Sequence, residues 1–109
     1  MKRGDLVTVA LSGDFGKPRP AIVVQTDHVQ FTDTVLICMI TSDLTSPGPF
    51  RINVPCDAQT GLTKPSQVMA DKTYAALRHK CGPVFGNVGE DVLAGLTVAL
   101  AFILGIGST

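Results

Sequence analysis

The sequence predicts a mainly β fold, a small barrel or sandwich of mostly antiparallel strands closed by a C-terminal α-helix. Three observations lead there. Short β-branched apolar runs are separated by Gly-, Pro- and Asp-rich turns, and one of them, "TVLICMI", is apolar on both faces. After residue 90 the pattern changes to the 3.6-residue period of a helix. With 109 residues, 45% hydrophobic and 17% charged, the chain has material for one core, so one domain over residues 1–109 is expected.

The elements follow in order. "LVTVAL", residues 6–11, is a first strand after Gly4-Asp5, and "SGDFGKP" is a turn-rich loop. Residues 21–24 form a second strand, because Ile and Val suit a pleated, buried surface and the run is short for a helix. "TVLICMI", residues 34–40, is a central strand with a neighbour on each side. "FRINVP", residues 50–55, alternates, with Phe50, Ile52 and Val54 on one face and Arg51 and Asn53 on the other. "SQVMADKTYAAL", residues 66–77, fits a strand or a helix by composition and is read as a strand to about Lys72. "CGPVFGNV" is a turn followed by a short strand.

From Glu90 to Leu104, apolar residues at 92, 93, 96, 99, 100, 103 and 104 line one helix face. Glu90 and Asp91 sit where carboxylates favour the positive end of the helix dipole, and Gly105 and Gly107 offer a stop. Val98, Ala101 and Phe102 make the opposite face apolar as well, so a partner subunit is the simplest cover for it.

Nine Lys and Arg balance nine Asp and Glu, so any attraction for nucleic acid must be local. Residues 64–80 supply one such place, with Lys64, Lys72, Arg78 and Lys80 against Asp71 alone; such a run is also the usual composition of a solvated face. Tyr74 is the one aromatic residue there, which gives base stacking little support from composition. Cys38, Cys56 and Cys81 have neither C-x-x-C nor metal-ligand spacing, so packing roles in a reducing compartment are expected, without zinc or disulfide. "MKRGDLVTV" lacks the apolar segment of a signal peptide, and the uncharged run from 92 to 109 is short for a membrane span; a soluble cytoplasmic protein is expected.

The candidate site starts from "GKPRPAIVVQTD". Pro18 and Pro20 fix their own φ and push Lys17 and Arg19 into extended conformation, so Arg19 is held stiffly at a strand end. If strands 20–26 and 35–41 pair through the intervening loop with Asp27 facing Thr34, Pro20 lies opposite Thr41 and Arg19 lies beside Thr41 and Ser42. A guanidinium with neighbouring hydroxyls suits a phosphate, through bidentate, charge-assisted hydrogen bonds. The same residues also fit a plain strand start with an exposed arginine and a polar strand end. His28 and His79 fall in loops and are read as exposed bystanders.

The ordered set Arg3-Gly4-Asp5, Arg19-Pro20, Thr41, then Gly61-Leu62, Lys64, Ser66 and Asp71, followed by an amphipathic helix ending in Leu-Gly, resembles the MazF/PemK family of toxin endoribonucleases from bacterial toxin-antitoxin pairs. The resemblance spans nearly the whole chain and rests on spacing more than on any single motif. It implies an SH3-like barrel, a homodimer, a cognate antitoxin as partner, no cofactor, and metal-independent cleavage of single-stranded RNA at a short sequence. By that resemblance Arg19 and Thr41 are the catalytic pair. The RNA-binding surface is expected at Lys17, Ser42, Lys64, Ser66, Gln67, Asp71 and Lys72.

The sequence departs from the family in its first loop. Many members carry a longer segment with an acidic residue and a glutamine before Arg-Pro, where this chain has Asp14 alone. Relatives that use an Arg and an Asp on the later strand are matched only at Asp71, because position 69 is Met. The same barrel occurs in gyrase-poisoning toxins, which act by protein binding through a Trp-containing tail; this chain has no Trp. An RNA-binding module without cleavage is the other alternative, separable by incubation with RNA in EDTA.

Overall fold

A computed structural model describes residues 1–10, 17–45 and 50–107. Most of the loop "SGDFGKP", Asp14 included, lies outside the described residues. The elements are β1 (Asp5–Val9), β2 (Arg19–Val23), β3 (Thr34–Thr41), β4 (Arg51–Val54), β5 (Ser66–Leu77), β6 (Gly86–Asn87) and α1 (Gly89–Leu104), with a 3₁₀ turn at Arg78–Lys80. The six strands form one sheet in the order β4-β5-β3-β2-β1-β6, each neighbouring pair antiparallel.

The sheet curls because its later segment returns along β1. Val9 bridges Cys81, the N–H of Gly82 donates to the Thr8 carbonyl at 2.8 Å, and the N–H of Phe85 donates to the Leu6 carbonyl at 2.9 Å. Gly86 is required at this return, since a Cβ there would collide with the carbonyl of Thr60. The result is the mainly β architecture with one terminal helix that the strand pattern predicts.

Both faces of the sheet are covered, which explains why β3 is apolar throughout. Cys38 and Ile40 join Leu6, Ile22, Val68 and Leu96 in the cluster under α1, while Val35, Ile37 and Met39 join Val7, Val9, Ala21 and Val23 on the other side. β3 lies between β2 and β5, as its two apolar faces predict. From β4, Ile52 and Val54 pack in the helix cluster, joined by Phe50 just before the strand.

Two expectations need correction. The β2/β3 register is one residue from the expected one, with Ala21 paired to Met39, Ile22 to Cys38 and Val23 to Ile37. Its cause is at the loop end, where the N–H groups of Val24 and Gln25 both donate to the Leu36 carbonyl, so two residues on one side face one on the other. β5 also continues past Lys72 to Leu77. The alanine-containing half, whose composition also suits a helix, pairs with β3 instead: Ala75 with Leu36 and Ala76 with Val35. Tertiary pairing outweighs local propensity there.

Between those halves β5 carries a large bulge. Cys38 pairs with Thr73 but Ile40 pairs with Val68, so Met39 alone stands opposite residues 69–72. Thr73 pins the bulge by donating from Oγ1 to the Ala70 carbonyl at 3.0 Å, and the Ala70 N–H reaches the Phe50 carbonyl at 3.1 Å.

α1 starts one residue before the expected Glu90, its first turn holding Glu90 and Asp91. Leu96 is fully buried, and Val92, Leu93, Ala99 and Leu100 pack against the same cluster. Ile103 and Leu104 share that periodicity but are 37% and 67% exposed, because the last turn overhangs the core. Gly105 ends the helix at φ 71°. Its N–H donates to Phe102 and that of Ile106 to Ala101, the paired reverse bonds of a left-handed helix stop. Among the described residues no helix is long and apolar enough to cross a membrane.

Cys38 lies in the core against Thr73, its Sγ 3.2 Å from Oγ1, and burial pushes its thiol pKa up. Cys56 is exposed and Cys81 half-buried.

Candidate functional site

β2 and β3 bring Arg19 and Thr41 together. Continuing the observed register by two pairs sets Arg19 itself across from Thr41, closer than the expected register, which put Pro20 there. Arg19 is the first residue of β2 and Thr41 the last of β3. The prolines on either side of Arg19 restrict its backbone, so the strand end presents the guanidinium from a stiff base.

Two cavities share Arg19, Ile40 and Thr41 in their walls. The larger, about 660 Å³, is bordered by Lys17, Ser42, Asp43, Lys64 and Ser66. The smaller, about 310 Å³, is closed by Met39, Met69, Lys72 and Tyr74. Together they make a groove with the Arg19/Thr41 pair at its middle, Lys17 and Lys64 at one end and Lys72 at the other. The bulge in β5 places Lys72 there.

Hydrogen bonds set the state of several groups. The backbone N–H of Asp43 donates to Oγ1 of Thr41 at 3.0 Å, so that oxygen is oriented as an acceptor and its own proton remains to be donated. The carboxylate of Asp43 accepts from the Thr45 hydroxyl and from the Thr45 N–H, the latter at 3.0 Å. These bonds hold its pKa below the ordinary carboxylate value, with Arg51 adding a smaller effect in the same direction. Ser66 donates to the Lys64 carbonyl at 2.9 Å, fixing the backbone that carries Lys64.

Of the residues singled out in the sequence, Lys17, Arg19, Thr41, Ser42, Lys64 and Ser66 line the larger cavity, and Lys72 lines the smaller. Gln67 pairs with Thr41 across the β3/β5 ladder but borders neither cavity. Its Nε2 donates to Asn53 Oδ1 at 3.0 Å, while its Oε1 is buried without a hydrogen-bond partner among the described residues. Asp71 borders neither cavity; its charge acts on the Cys38 thiol, raising that pKa.

The basic run 64–80 is divided. Arg78 is half-buried and donates to the carbonyls of Thr32 at 2.6 Å and Val29 at 3.3 Å, so it clamps the loop before β3. His28 and His79 are exposed and border neither cavity. Among the groove residues that sequence reasoning did not select are Asp43, Met39, Met69 and Tyr74. A lone tyrosine among cations was the one signal available, since the methionines become wall residues only through the bulge.

Comparison with known proteins adds to this geometry. Residues 2–104 match the family of PemK-like, MazF-like toxins of type II toxin-antitoxin systems. A protein named probable endoribonuclease MazF, from Mycolicibacterium smegmatis, is 33% identical over 107 residues, covering 97% of this chain and 98% of that protein. Among solved structures, an endoribonuclease in complex with its cognate antitoxin from a mycobacterial species shares the fold at TM-score 0.80 and 21% identity, covering 100% of this chain and 99% of that one. MazE-MazF from Deinococcus radiodurans superposes at TM-score 0.78 with 24% identity, over 98% and 97% of the two chains. With the family pattern matched from Lys2 to Leu104 and the fold shared along its length, the chain belongs to the PemK-like, MazF-like family of type II toxin-antitoxin toxins.

Proposed function

We propose that this protein is an endoribonuclease that cleaves single-stranded RNA, such as mRNA, at a short motif without a metal ion. The observation that carries the reading is the juxtaposition of Arg19 and Thr41 at the centre of a cation-lined groove. The relative named an endoribonuclease supports it. The 2′-oxygen of one ribose bonds to its adjacent phosphorus as the bond to the 5′-oxygen of the next nucleotide breaks. A proton leaves the 2′-hydroxyl and one reaches the departing 5′-oxygen, so the products are a cyclic phosphate and a free 5′-hydroxyl.

Arg19 meets the negative charge that builds on the phosphorane with the fork of its guanidinium. Thr41, whose oxygen already accepts from Asp43, donates its proton to a non-bridging phosphate oxygen. Its hydroxyl pKa makes it a poor base. Asp43 is a weak proton acceptor too, since its pKa is lowered. Lys17 and Lys64 hold the flanking backbone by charge. The need for a 2′-hydroxyl selects RNA over DNA.

The reading extends to a homodimer in the cytoplasm and to a cognate antitoxin. Val98, Phe102 and Ile106 are 71%, 65% and 63% exposed, which supports cover by a second copy. The cations of the groove suit an acidic, partly disordered antitoxin segment. The test is incubation of pure protein with single-stranded RNA in EDTA. Fragments with 5′-hydroxyl ends are expected; retention of intact RNA would favour a binding module, and loss of cleavage on chelation would remove the metal-independent step.

A further inference from the structure

The two halves of the groove differ in chemistry. The larger is rich in cations and hydroxyls, whereas the smaller is walled by the thioethers of Met39 and Met69 and by the ring of Tyr74, with Lys72 at its rim. Tyr74 is 43% exposed, and Met39 is nearly buried. We infer that the smaller cavity is a nucleobase subsite, in which the base next to the phosphate held by Arg19 and Thr41 stacks on Tyr74 against Met39 and Met69. The inference rests on the RNA reading of the groove and adds where, and by which residues, a base is read.

The physical case has three parts. Arg19 and Thr41 belong to both cavities, so a nucleotide with its phosphate at that pair has the smaller cavity within reach of its base. An aromatic face supplies stacking, and thioethers are soft, polarisable and adaptable enough to close on a planar ring from the other side. Lys72 offers only hydrogen-bond donors, so it fits ring nitrogens or carbonyl oxygens at the base edge and leaves an exocyclic amine without a partner. The bulge builds this pocket, because it sets residues 69–72 opposite Met39 alone.

Tyr74 is the only tyrosine and the chain has no tryptophan, so tyrosine emission reports on this ring alone. Short single-stranded 2′-deoxy oligonucleotides, which cannot be cleaved by 2′-oxygen attack, are selected from a random pool for binding to the wild-type protein. The selected sequence is then carried through with an abasic nucleotide at each position in turn. The expected result is quenching of Tyr74 on binding, abolished by an abasic nucleotide at one position, with affinity lost about 5- to 150-fold at that position. Tyr74→Leu is expected to weaken the parent oligonucleotide by a similar factor and the abasic one hardly at all, while Tyr74→Phe keeps the affinity of the wild type.

Unchanged emission on saturation, or equal loss by Tyr74→Leu for parent and abasic oligonucleotides, overturns the subsite. An all-ribose version of the same oligonucleotide tests cleavage separately. Binding with the predicted abasic pattern but without cleavage supports the subsite and removes the nuclease reading. No detectable binding of either the deoxy or the all-ribose oligonucleotide by folded wild-type protein, with no cleavage of the latter, overturns both.

Discussion

The backbone N–H of Asp43 donates to Oγ1 of Thr41 at 3.0 Å, so the last residue of β3 has its hydroxyl oriented by the turn that follows it. Thr41→Val keeps the β-branched shape but removes both this acceptor and the donated proton. Cleavage should fall about 10- to 100-fold, the value of one hydrogen bond to a charged group, whereas Thr41→Ser should retain most of it. Single-turnover rates on a defined RNA check this; equal loss in both variants would assign Thr41 to packing.

Arg19 should matter more. Arg19→Ala is expected to lower the cleavage rate on the order of 10²-fold or more with little change in melting temperature, since the residue is exposed at a strand end. In the double variant with Thr41→Val the loss should be close to that of Arg19→Ala alone, because groups acting on one phosphate are not additive. A folded Arg19→Ala protein with near-normal cleavage would refute the catalytic assignment.

How much of this was legible beforehand divides by physical cause. The apolar strands, the terminal helix and the Gly105 stop follow from periodicity and backbone chemistry, and these are local. Arg19 and Thr41 were brought to one sheet end from the hairpin alone, although the register was one residue out because Val24 and Gln25 share a single acceptor. The smaller cavity was not legible. It depends on residues 69–72 bulging opposite Met39, and a bulge is decided by pairing partners that no local pattern announces.

Lys17→Ala should leave the rate at saturating RNA nearly intact and weaken binding modestly. Its mark would be a lower salt dependence, a slope of log K against log salt reduced by about 0.7 for one lost phosphate contact on a single strand. A fall in rate at saturation with an unchanged slope would place Lys17 in the chemistry.

Asp43 makes a pH prediction with a definite sign. Its pKa in the folded protein is depressed, first by the Thr45 hydroxyl, so the charged form is favoured by folding. Its contribution to stability is therefore present above the ordinary value of 3.8 and lost as the pH falls through the lower folded value. Thr45→Ala should move the Asp43 titration upward, followed by carboxyl chemical shifts; an unchanged midpoint would mean that other groups hold the charge.

Leu96→Ala should cost about 2–5 kcal/mol of stability while cleavage per folded molecule stays the same, because the side chain is fully buried beneath the sheet on the side away from Met39. Denaturant unfolding and rates normalised to folded protein separate the two effects.

The long β3/β5 ladder also sets when the groove can exist during synthesis. Arg19 and Thr41 leave the ribosome first, but the strand that carries Lys72 and Tyr74, and that flanks β3 on its far side, is complete only at Leu77. Translation delivers residues at about 5–20 per second, so the pair spends seconds on a nascent chain whose groove has only one wall. The return segment that bridges Val9 to Cys81 comes later still. A ribosome making this chain is thus not exposed to a finished groove until nearly all of the protein has emerged, and a copy terminated before β5 would carry Arg19 and Thr41 without the Lys72 and Tyr74 wall of the smaller cavity.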